Sequence, residues 1–363
     1  MPESPAAKPV ATPGTAPSAA TPDEILEARA ARPELRARDL AASLNVSEAA
    51  LVAANVGRTV TRIAAHPDRL IPAIKTIGEV MALTRNESAV HECTGTYLDY
   101  HSGEHATMVL GPEIDLRMFP SHWANAFAVV EETEKGTKRS LQVFDAHGDA
   151  VHKVHMKPAS NIAAFDAAVA ALATGDDRRS YETTPRPAPE GARIREDKVD
   201  ILRQEWDRMT DTHQFLRLVS KLKMNRLGAY RIAGAPYAER LDTGAVSLML
   251  ERAAADQVPL MIFVGNAGCI QIHSGLVHNI KPMGPWQNVL DPRFNLHLRA
   301  DHIAEVWRVW KPTQRGPALS IECFDAEGQL ILQSFGTRDE GGPEAWQALT
   351  QALPRATPAE VGA

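Results

Sequence analysis

The feature that most constrains the fold of this chain is an internal repeat. The segment IDLRMFPSHWANAF, which begins at residue 114, recurs as FNLHLRADHIAEVW from residue 294, an offset of 180 residues. The pairs that keep this offset include Leu116 with Leu296, His122 with His302 and Ser140 with Ser320. Agreement at one fixed offset indicates that one structural unit occurs twice, so we expect two similar lobes.

Each copy also contains an FDAxG element, at residues 144–148 and 324–328. Both elements lie between short runs of alternating apolar residues, a pattern that predicts a β-hairpin with Asp and Gly in the turn. Helical periodicity flanks these runs in LIPAIKTIGEVMALT, FDAAVAALA, HQFLRLVSKLK and AWQALTQAL. The predicted fold class is therefore α+β, with two tandem structural repeats, each a large antiparallel sheet flanked by helices.

Composition shifts divide the chain. Residues 1–22 contain six prolines and almost no large apolar side chain, so we expect a disordered tail. The N-terminal repeat is assigned to residues 23–173 and the C-terminal repeat to residues 201–354. A polar, proline-containing stretch at residues 174–200 is the expected linker, and residues 355–363 the expected C-terminal tail.

Charge and cysteine content exclude several classes of protein. The net charge of -6 disfavours a nucleic-acid-binding protein, which needs a basic surface. The three cysteines are far apart in the sequence and form no CxxC motif. A disulfide framework is therefore not expected, and a reducing compartment is favoured. The chain has neither a span of about 18 apolar residues nor a signal-peptide pattern, which predicts a cytoplasmic protein that is not embedded in a membrane.

Known catalytic motifs are missing from the sequence. It contains no GxGxxG, GxxxxGK[ST] or GxSxG, so dinucleotide, P-loop and α/β-hydrolase functions lack support. The densest group of metal-ligand residue types is HECTGTYLDYHSGEH, with His91, Cys93, His101 and His105. Its spacing does not match HExxH or paired-cysteine zinc sites, but a non-heme metal hydrolase using this group remains an alternative.

His213 differs from the other histidines in its local surroundings. In MTDTHQF, Asp211 is a natural helix N-cap and Gln214 completes a capping-box pattern, which places His213 in the first helical turn. The helix dipole disfavours the imidazolium there, and a neutral imidazole is the form that binds a metal. The apolar stripe formed by Phe215, Leu218, Val219 and Leu222 lies on the opposite side of the helix. His213 is therefore predicted to be either a plain surface residue or part of the wall of a cleft.

With these residues identified, the chain resembles the HemS/ChuS-like family of hemin-degrading and heme-trafficking proteins of bacterial heme uptake. The resemblance extends from about Glu24 to Pro354 and is carried by RARDLAASLNVSEAALVAA, GEVMALTRNESAVHE, IDLRMF, MTDTHQF, MGPWQNVLDPRFNLHLR and VWKPT. It implies two α+β repeats with large antiparallel sheets, and a heme held in a cleft between a helix and a sheet.

The resemblance also implies roles for individual residues. His213 is similar to the axial ligand of the heme iron, Arg117 to the arginine on the distal side, with a tentative catalytic role, and Phe119 to a residue that packs on the porphyrin. The other expected heme-binding residues are Arg226, near the propionates, Lys311, Gln333 and Arg338. Where some relatives have tyrosine this chain has Leu332, which puts a hydrogen bond from that position in doubt.

The family implies heme b as ligand or substrate. The site needs a neutral imidazole, two or three cations for the propionates and an apolar slot, and this chain can supply all three. The resemblance then predicts delivery of imported heme, oxidative degradation that releases iron, or both. Degradation would need an external electron donor. The expected partners are the inner-membrane heme importer and a downstream heme oxygenase or reductase. The alternative from another class is a non-enzymatic duplicated scaffold that binds a partner protein and no heme.

Overall fold

The computed structural model describes residues 20–339 and 341–357. Its α-helices are α1 (Pro22–Ala31), α2 (Ala37–Ser43), α3 (Glu48–Ala53), α4 (Pro67–Ile77), α5 (Ile162–Leu172), α6 (Val199–Asp207), α7 (Gln214–Lys221), α8 (Arg226–Ala233), α9 (Ala245–Ala255) and α10 (Gly342–Gln351). None of the helices in this part of the chain has the length and apolar character needed to cross a lipid bilayer.

The strands follow the repeat. In the first half they are β1 (Val60–Ile63), β2 (Val80–Arg85), β3 (Ala89–Gly95), β4 (Tyr100–His101), β5 (Thr107–Val109), β6 (Asp115–Met118), β7 (Asn125–Thr133), β8 (Gly136–Phe144) and β9 (Ala150–Met156). In the second half they are β10 (Ala238–Leu241), β11 (Leu260–Gly265), β12 (Cys269–Gly275), β13 (Ile280–Met283), β14 (Trp286–Leu290), β15 (Phe294–Arg299), β16 (Glu305–Lys311), β17 (Ala318–Phe324) and β18 (Leu330–Gly336).

The strands form two antiparallel sheets of nine strands, and the two repeats exchange strands between them. The first sheet has the order β1-β7-β8-β9-β2-β3-β15-β14-β13, and the second β10-β16-β17-β18-β11-β12-β6-β5-β4. Each sheet therefore takes six strands from one repeat and three from the other. The predicted α+β duplication is confirmed, but the chain between residues 100 and 118 lies in the sheet of the opposite repeat.

The crossing point is held by hydrogen bonds that the two repeats make reciprocally. The Asn86 side-chain amide donates to the carbonyl of Gly265, and the Asn266 amide, 180 residues later, donates to the carbonyl of Arg85. Both FDAxG elements form the predicted turns, with Gly148 and Gly328 at φ of +80° and +79°. These angles favour glycine, which explains its presence at the same place in each repeat.

The core has an inner layer and two outer layers. One face of each sheet and the helices α4, α5, α9 and α10 share the large inner core. Helices α6–α8 cover part of the other face of the second sheet, and α1–α3 have the equivalent place on the first. Each sheet thus has an outer face that its helices cover only in part.

The structure adds detail at the predicted boundaries. The stretch at residues 174–200 contacts the first lobe, because the Arg62 guanidinium donates to the carbonyls of Arg178 and Ser180. Helix α6 begins near the end of this stretch, at Val199, and Arg355 forms a β-bridge with Leu241. Of the predicted disordered tail at residues 1–22, residues 1–19 lie outside the described residues and α1 begins at Pro22. Of the predicted tail at residues 355–363, residues 358–363 lie outside them.

Candidate functional site

The outer face of the second sheet contains a half-exposed apolar strip. Alternation along β11 directs Met261 and Phe263 outward while their neighbours face the inner core. On β18, Gln333 pairs directly with Phe263, and Phe335 pairs with Met261. The rings of Phe263 and Phe335 meet edge to face, with centroids 5.3 Å apart. Met261, Phe263 and Phe335 thus form an apolar strip that also includes one amide, that of Gln333.

Strand exchange brings Arg117 to one side of this strip. Arg117 lies on β6 of the first repeat, but β6 pairs with β12 of the second repeat, where Arg117 is opposite Ile270. Phe119 is two residues further along, so it leaves the strand on the same side. The strand order separates β6 from β18 by three strand spacings, about 14 Å. One strand, β12, therefore lies between Arg117 and the strip on β11 and β18.

A carboxylate holds the Arg117 side chain. Arg117 Nη1 donates to Asp115 Oδ1 and, at 3.0 Å, to the carbonyl of Leu116. The Arg117 side chain is 32% exposed, and burial raises the pKa of Asp115 although the hydrogen bond from Arg117 opposes this. Arg117 is thus a permanently charged donor with a fixed base on the strand and a tip accessible to solvent.

His213 lies at the N-terminus of α7. The helix begins at Gln214, so His213 directly precedes the first turn instead of lying in it. The predicted capping box is divided between two residues: Asp211 Oδ1 accepts the His213 backbone N–H at 2.7 Å, and the Gln214 side chain accepts the backbone N–H of Thr210 at 2.9 Å. The opposite, apolar stripe of the helix is buried as expected.

The His213 ring is exposed and oriented by the same carboxylate. Its Nδ1 lies 2.6 Å from Asp211 Oδ1, and 91% of the side chain is exposed. Hydrogen bonds from His213 lower the pKa of Asp211, and the positive charge of Arg338 adds to this effect. With Nδ1 donating to a carboxylate, the neutral ring presents Nε2 as its lone-pair nitrogen, which is the arrangement seen in carboxylate–histidine–metal sites.

Between the sheet and the helices α7 and α8, four side chains donate hydrogen bonds to the buried Glu322. Lys311 Nζ donates to Glu322 Oε1 at 2.8 Å and Arg226 Nη1 to Oε2 at 2.8 Å. The hydroxyls of Tyr230 and Ser320 also donate to Glu322, at 2.9 and 2.8 Å. The two cations hold the pKa of Glu322 far below its ordinary value despite complete burial. The carboxylate is therefore ionised and shared by both cations.

The structure places Lys311 deeper than the sequence predicts. Its side chain is 4% exposed, and its ammonium lies 4.9 Å from the ring centroid of Phe215 and 5.1 Å from that of Tyr230. Lys311 thus faces Glu322 and two aromatic rings in place of an open pocket. Arg226, at 20% exposure, is the cation of this cluster that solvent reaches.

Leu332 and the histidine–cysteine group lie away from the strip. Leu332 is in the inner core, since it alternates with Gln333 along β18. His91 and Cys93 are on β3 of the first sheet, whereas His101 is on β4 of the second. Among residues 20–339 and 341–357, no three His, Cys, Asp or Glu side chains are arranged to hold a metal ion. The non-heme hydrolase alternative therefore has no geometric support.

Comparison with known proteins identifies the family. A model described as "Haemin-degrading HemS.ChuX domain" matches twice, at residues 45–172 and 223–353. The chain is 38% identical over 322 residues to "Hemin transport protein HmuS" of Yersinia pestis, covering 88% of this chain and 93% of that protein. The chain belongs to the HemS family.

Solved structures of the HemS family share the whole architecture. Holo-PhuS, a heme-binding protein from Pseudomonas aeruginosa, has a TM-score of 0.88 at 43% identity and covers 93% of this chain and all of its own. ChuS, described as an E. coli heme oxygenase, has a TM-score of 0.81 at 34% identity, covering 90% of this chain and 98% of its own. The two HemS-domain matches confirm the duplication, and His213 lies in the segment between them.

Four further residues of this outer face were not expected from the sequence. Met261, Phe263 and Phe335 line the strip, and Glu322 joins the two cations. The sequence contains a sign of the strip only: LMIFVG and LILQSF place apolar residues on both faces of their strands. A strand that is apolar on both faces indicates that its outer face is covered by a helix or by a ligand.

Proposed function

We propose that this protein binds heme in the cleft between α7 and the strip of Met261, Phe263 and Phe335, as a cytoplasmic component of bacterial heme uptake. The observation that carries this proposal is His213, an exposed imidazole whose Nδ1 is bonded to Asp211, leaving Nε2 as a lone-pair donor. Nε2 of His213 is the proposed axial ligand of the heme iron. The family of the chain supports the same ligand.

The remaining residues fit the other parts of heme. Phe263, Phe335 and Phe119 supply apolar surface for the ring. Arg226 is the proposed partner of a propionate. Gln333, on β18, and Arg338, just after the end of that strand, are proposed as further contacts of heme. Lys311 influences the proposed propionate site indirectly, through the charge that it contributes to the Glu322 cluster. This donor set suits a flat, apolar, dianionic ligand with a metal at its centre.

Delivery of intact heme is the activity that the geometry supports best. An exposed histidine on a short helix leaves the axial ligand accessible to a competing ligand from an acceptor. Release to a downstream heme oxygenase would then proceed by exchange of His213, and the inner-membrane importer is the proposed donor of heme.

Oxidative ring opening is a second candidate, and Arg117 is the observation that favours it. Its guanidinium, held by Asp115, is a fixed donor on the far side of the strip from β18. Bound heme would supply the oxygen chemistry if an external donor provided electrons, and Arg117 would donate a hydrogen bond on that side. ChuS, a relative of the whole chain, is described as a heme oxygenase.

A hemin titration followed by visible spectroscopy tests the binding proposal. We expect a one-to-one Soret band in the wild type that is lost or displaced in His213→Ala. His101→Ala is the matched control, because His101 is also exposed and contacts an aspartate two residues earlier, Asp99, at 3.2 Å. Identical titrations of all three proteins would refute the ligand assignment, and the absence of any defined band would favour the scaffold alternative.

Ascorbate added in air, with catalase present, separates the two activities. Decay of the Soret band to a verdoheme or biliverdin spectrum would support ring opening, and Arg117→Ala should then slow that decay without removing the band. A heme that is reduced and persists would support delivery. Transfer to apomyoglobin, followed by the myoglobin spectrum, measures delivery directly.

A further inference from the structure

The Glu322 cluster lies beside the strip as well as beneath the helices. Glu322 on β17 pairs directly with Gln333 on β18, the central polar residue of the strip. Phe215, two residues after His213, covers the Lys311 ammonium with its ring. A change in the charge of Glu322 therefore alters the electrostatic potential at the cations under α7 and α8 and at the edge of the proposed heme cleft.

The cations of this cluster differ in access. Lys311 is sealed beneath Phe215 and Tyr230, whereas a fifth of the Arg226 side chain faces solvent. A guanidinium has five N–H donors, and one of its nitrogens, Nη1, donates to Glu322. An incoming carboxylate can thus approach Arg226, but it meets a cation whose charge Glu322 already neutralises in part.

We propose that Glu322 is an internal substitute for a ligand carboxylate: it holds Arg226 and Lys311 while the cleft is empty and competes with a heme propionate for Arg226. This inference rests on the proposed function. It makes Glu322 a residue that determines affinity without touching the ring or the iron. It also eases release, because Glu322 retakes the full interaction with Arg226 as the propionate departs.

The first lobe contains a matched cluster. Glu48, at the first position of α3, is 8% exposed and contacts both Arg85 and Lys153. Arg226 has the same position in α8, directly after the N-cap. Arg85 and Lys153 correspond to Gly265 and Gln333 at the 180-residue offset, so the two lobes carry different charges at these positions. Glu48 is therefore paired with two cations, as Glu322 is, but it belongs to the lobe to which the proposed function assigns no heme.

The test compares Glu322→Gln with Glu48→Gln, using hemin and hemin dimethyl ester as probes. Glu322→Gln should bind hemin about tenfold more tightly than the wild type, since a negative charge next to Arg226 is removed. Its affinity for the ester, which has no carboxylate, should change little, and Glu48→Gln should leave both affinities unchanged. The inference is overturned if Glu322→Gln leaves the hemin-to-ester ratio unchanged or lowers it.

A second pair of variants covers the case in which Glu322→Gln folds poorly. Lys311→Met and Lys311→Met/Glu322→Gln each keep Arg226 and remove the buried ammonium. The double variant should bind hemin more tightly than the single one, and equal affinities would overturn the inference. Failure of the proposed function would give a different result, because wild type and His213→Ala would then give identical titrations with hemin.

Discussion

The outer strips of the two lobes have the same strand framework and opposite contents. In the first lobe, Arg85 and Lys153 rise from the sheet and meet Glu48 on α3. In the second lobe the acid is on the sheet, as Glu322, with one cation, Lys311, on the sheet and the other, Arg226, on the helix. The acid of the cluster is thus on the helix in one lobe and on the sheet in the other, where a cation has the position at the start of the helix.

This exchange leaves the two outer faces with different charges. In the first lobe Arg85 and Lys153 lie on the sheet and meet Glu48 at the start of α3. In the second lobe the equivalent positions hold Gly265 and Gln333, so the strip of Met261, Phe263 and Phe335 contains no cation. Two copies of one fold can thus present different chemistry on equivalent faces of their sheets.

The largest expected effect comes from breaking the charge cluster of the first lobe. Glu48→Gln leaves Arg85 and Lys153 without a counter-charge in a mostly buried place, and we expect a loss of about 3 kcal/mol in the free energy of unfolding. Glu87→Gln, which breaks the exposed pair with Arg38, should cost no more than about 0.5 kcal/mol. Urea denaturation measures both. Equal losses in the two variants would contradict a stabilising role of the Glu48 cluster.

The first lobe should also be the more sensitive to acid. Burial, with Lys153 and Lys138 nearby, lowers the pKa of His155 from 6.5 to about 4. The unfolded chain therefore binds a proton that the folded chain does not, and stability falls as pH drops from 6.5 to 4. His155→Phe, which installs the residue found at the equivalent position 335, should reduce that fall by about 2 kcal/mol. Superimposable stability–pH curves from urea titrations would refute this assignment.

The caps of the two equivalent helices should differ in strength. Asn225 caps α8, accepting from the backbone N–H groups of Gly228 and Arg193 and donating to the Gly191 carbonyl. Ser47 caps α3 with one hydrogen bond, from the N–H of Ala50. Asn225→Ala should therefore destabilise the protein by about 2 kcal/mol and Ser47→Ala by about 1 kcal/mol. Thermal melting gives the order, and a reversed order would contradict it.

The smallest effect tests which strip receives hemin. Phe263→Leu, which copies Leu83 of the first lobe, should weaken hemin binding by about 1 kcal/mol through lost ring contact. The reciprocal change, Leu83→Phe, should leave hemin affinity unchanged because the proposed heme cleft is in the second lobe. Soret titrations of both variants suffice, and an effect of Leu83→Phe larger than that of Phe263→Leu would place hemin in the other lobe.

The sequence predicted the elements better than their assembly. The 180-residue offset and the FDAxG turns indicate the duplication and its hairpins, and the stripe of α7 indicates the free side of His213. Alternation along Asp115–Met118 shows which face Arg117 takes but not which sheet receives the strand, because both sheets have the same pattern. In the sequence, Glu322 is a polar residue within an apolar strand. Its contacts with Arg226 and Lys311 depend on the packing of α8 and β16 against that strand, which the sequence pattern does not show.

The exchanged strands also make the two halves of the chain depend on each other. Three strands from each half complete the sheet of the other half, an arrangement similar to a homodimer whose subunits exchange a β-meander. Residues 174–198 are the covalent connection between these halves. Either half alone has six of the nine strands of its sheet, so we expect the halves to be stable only together.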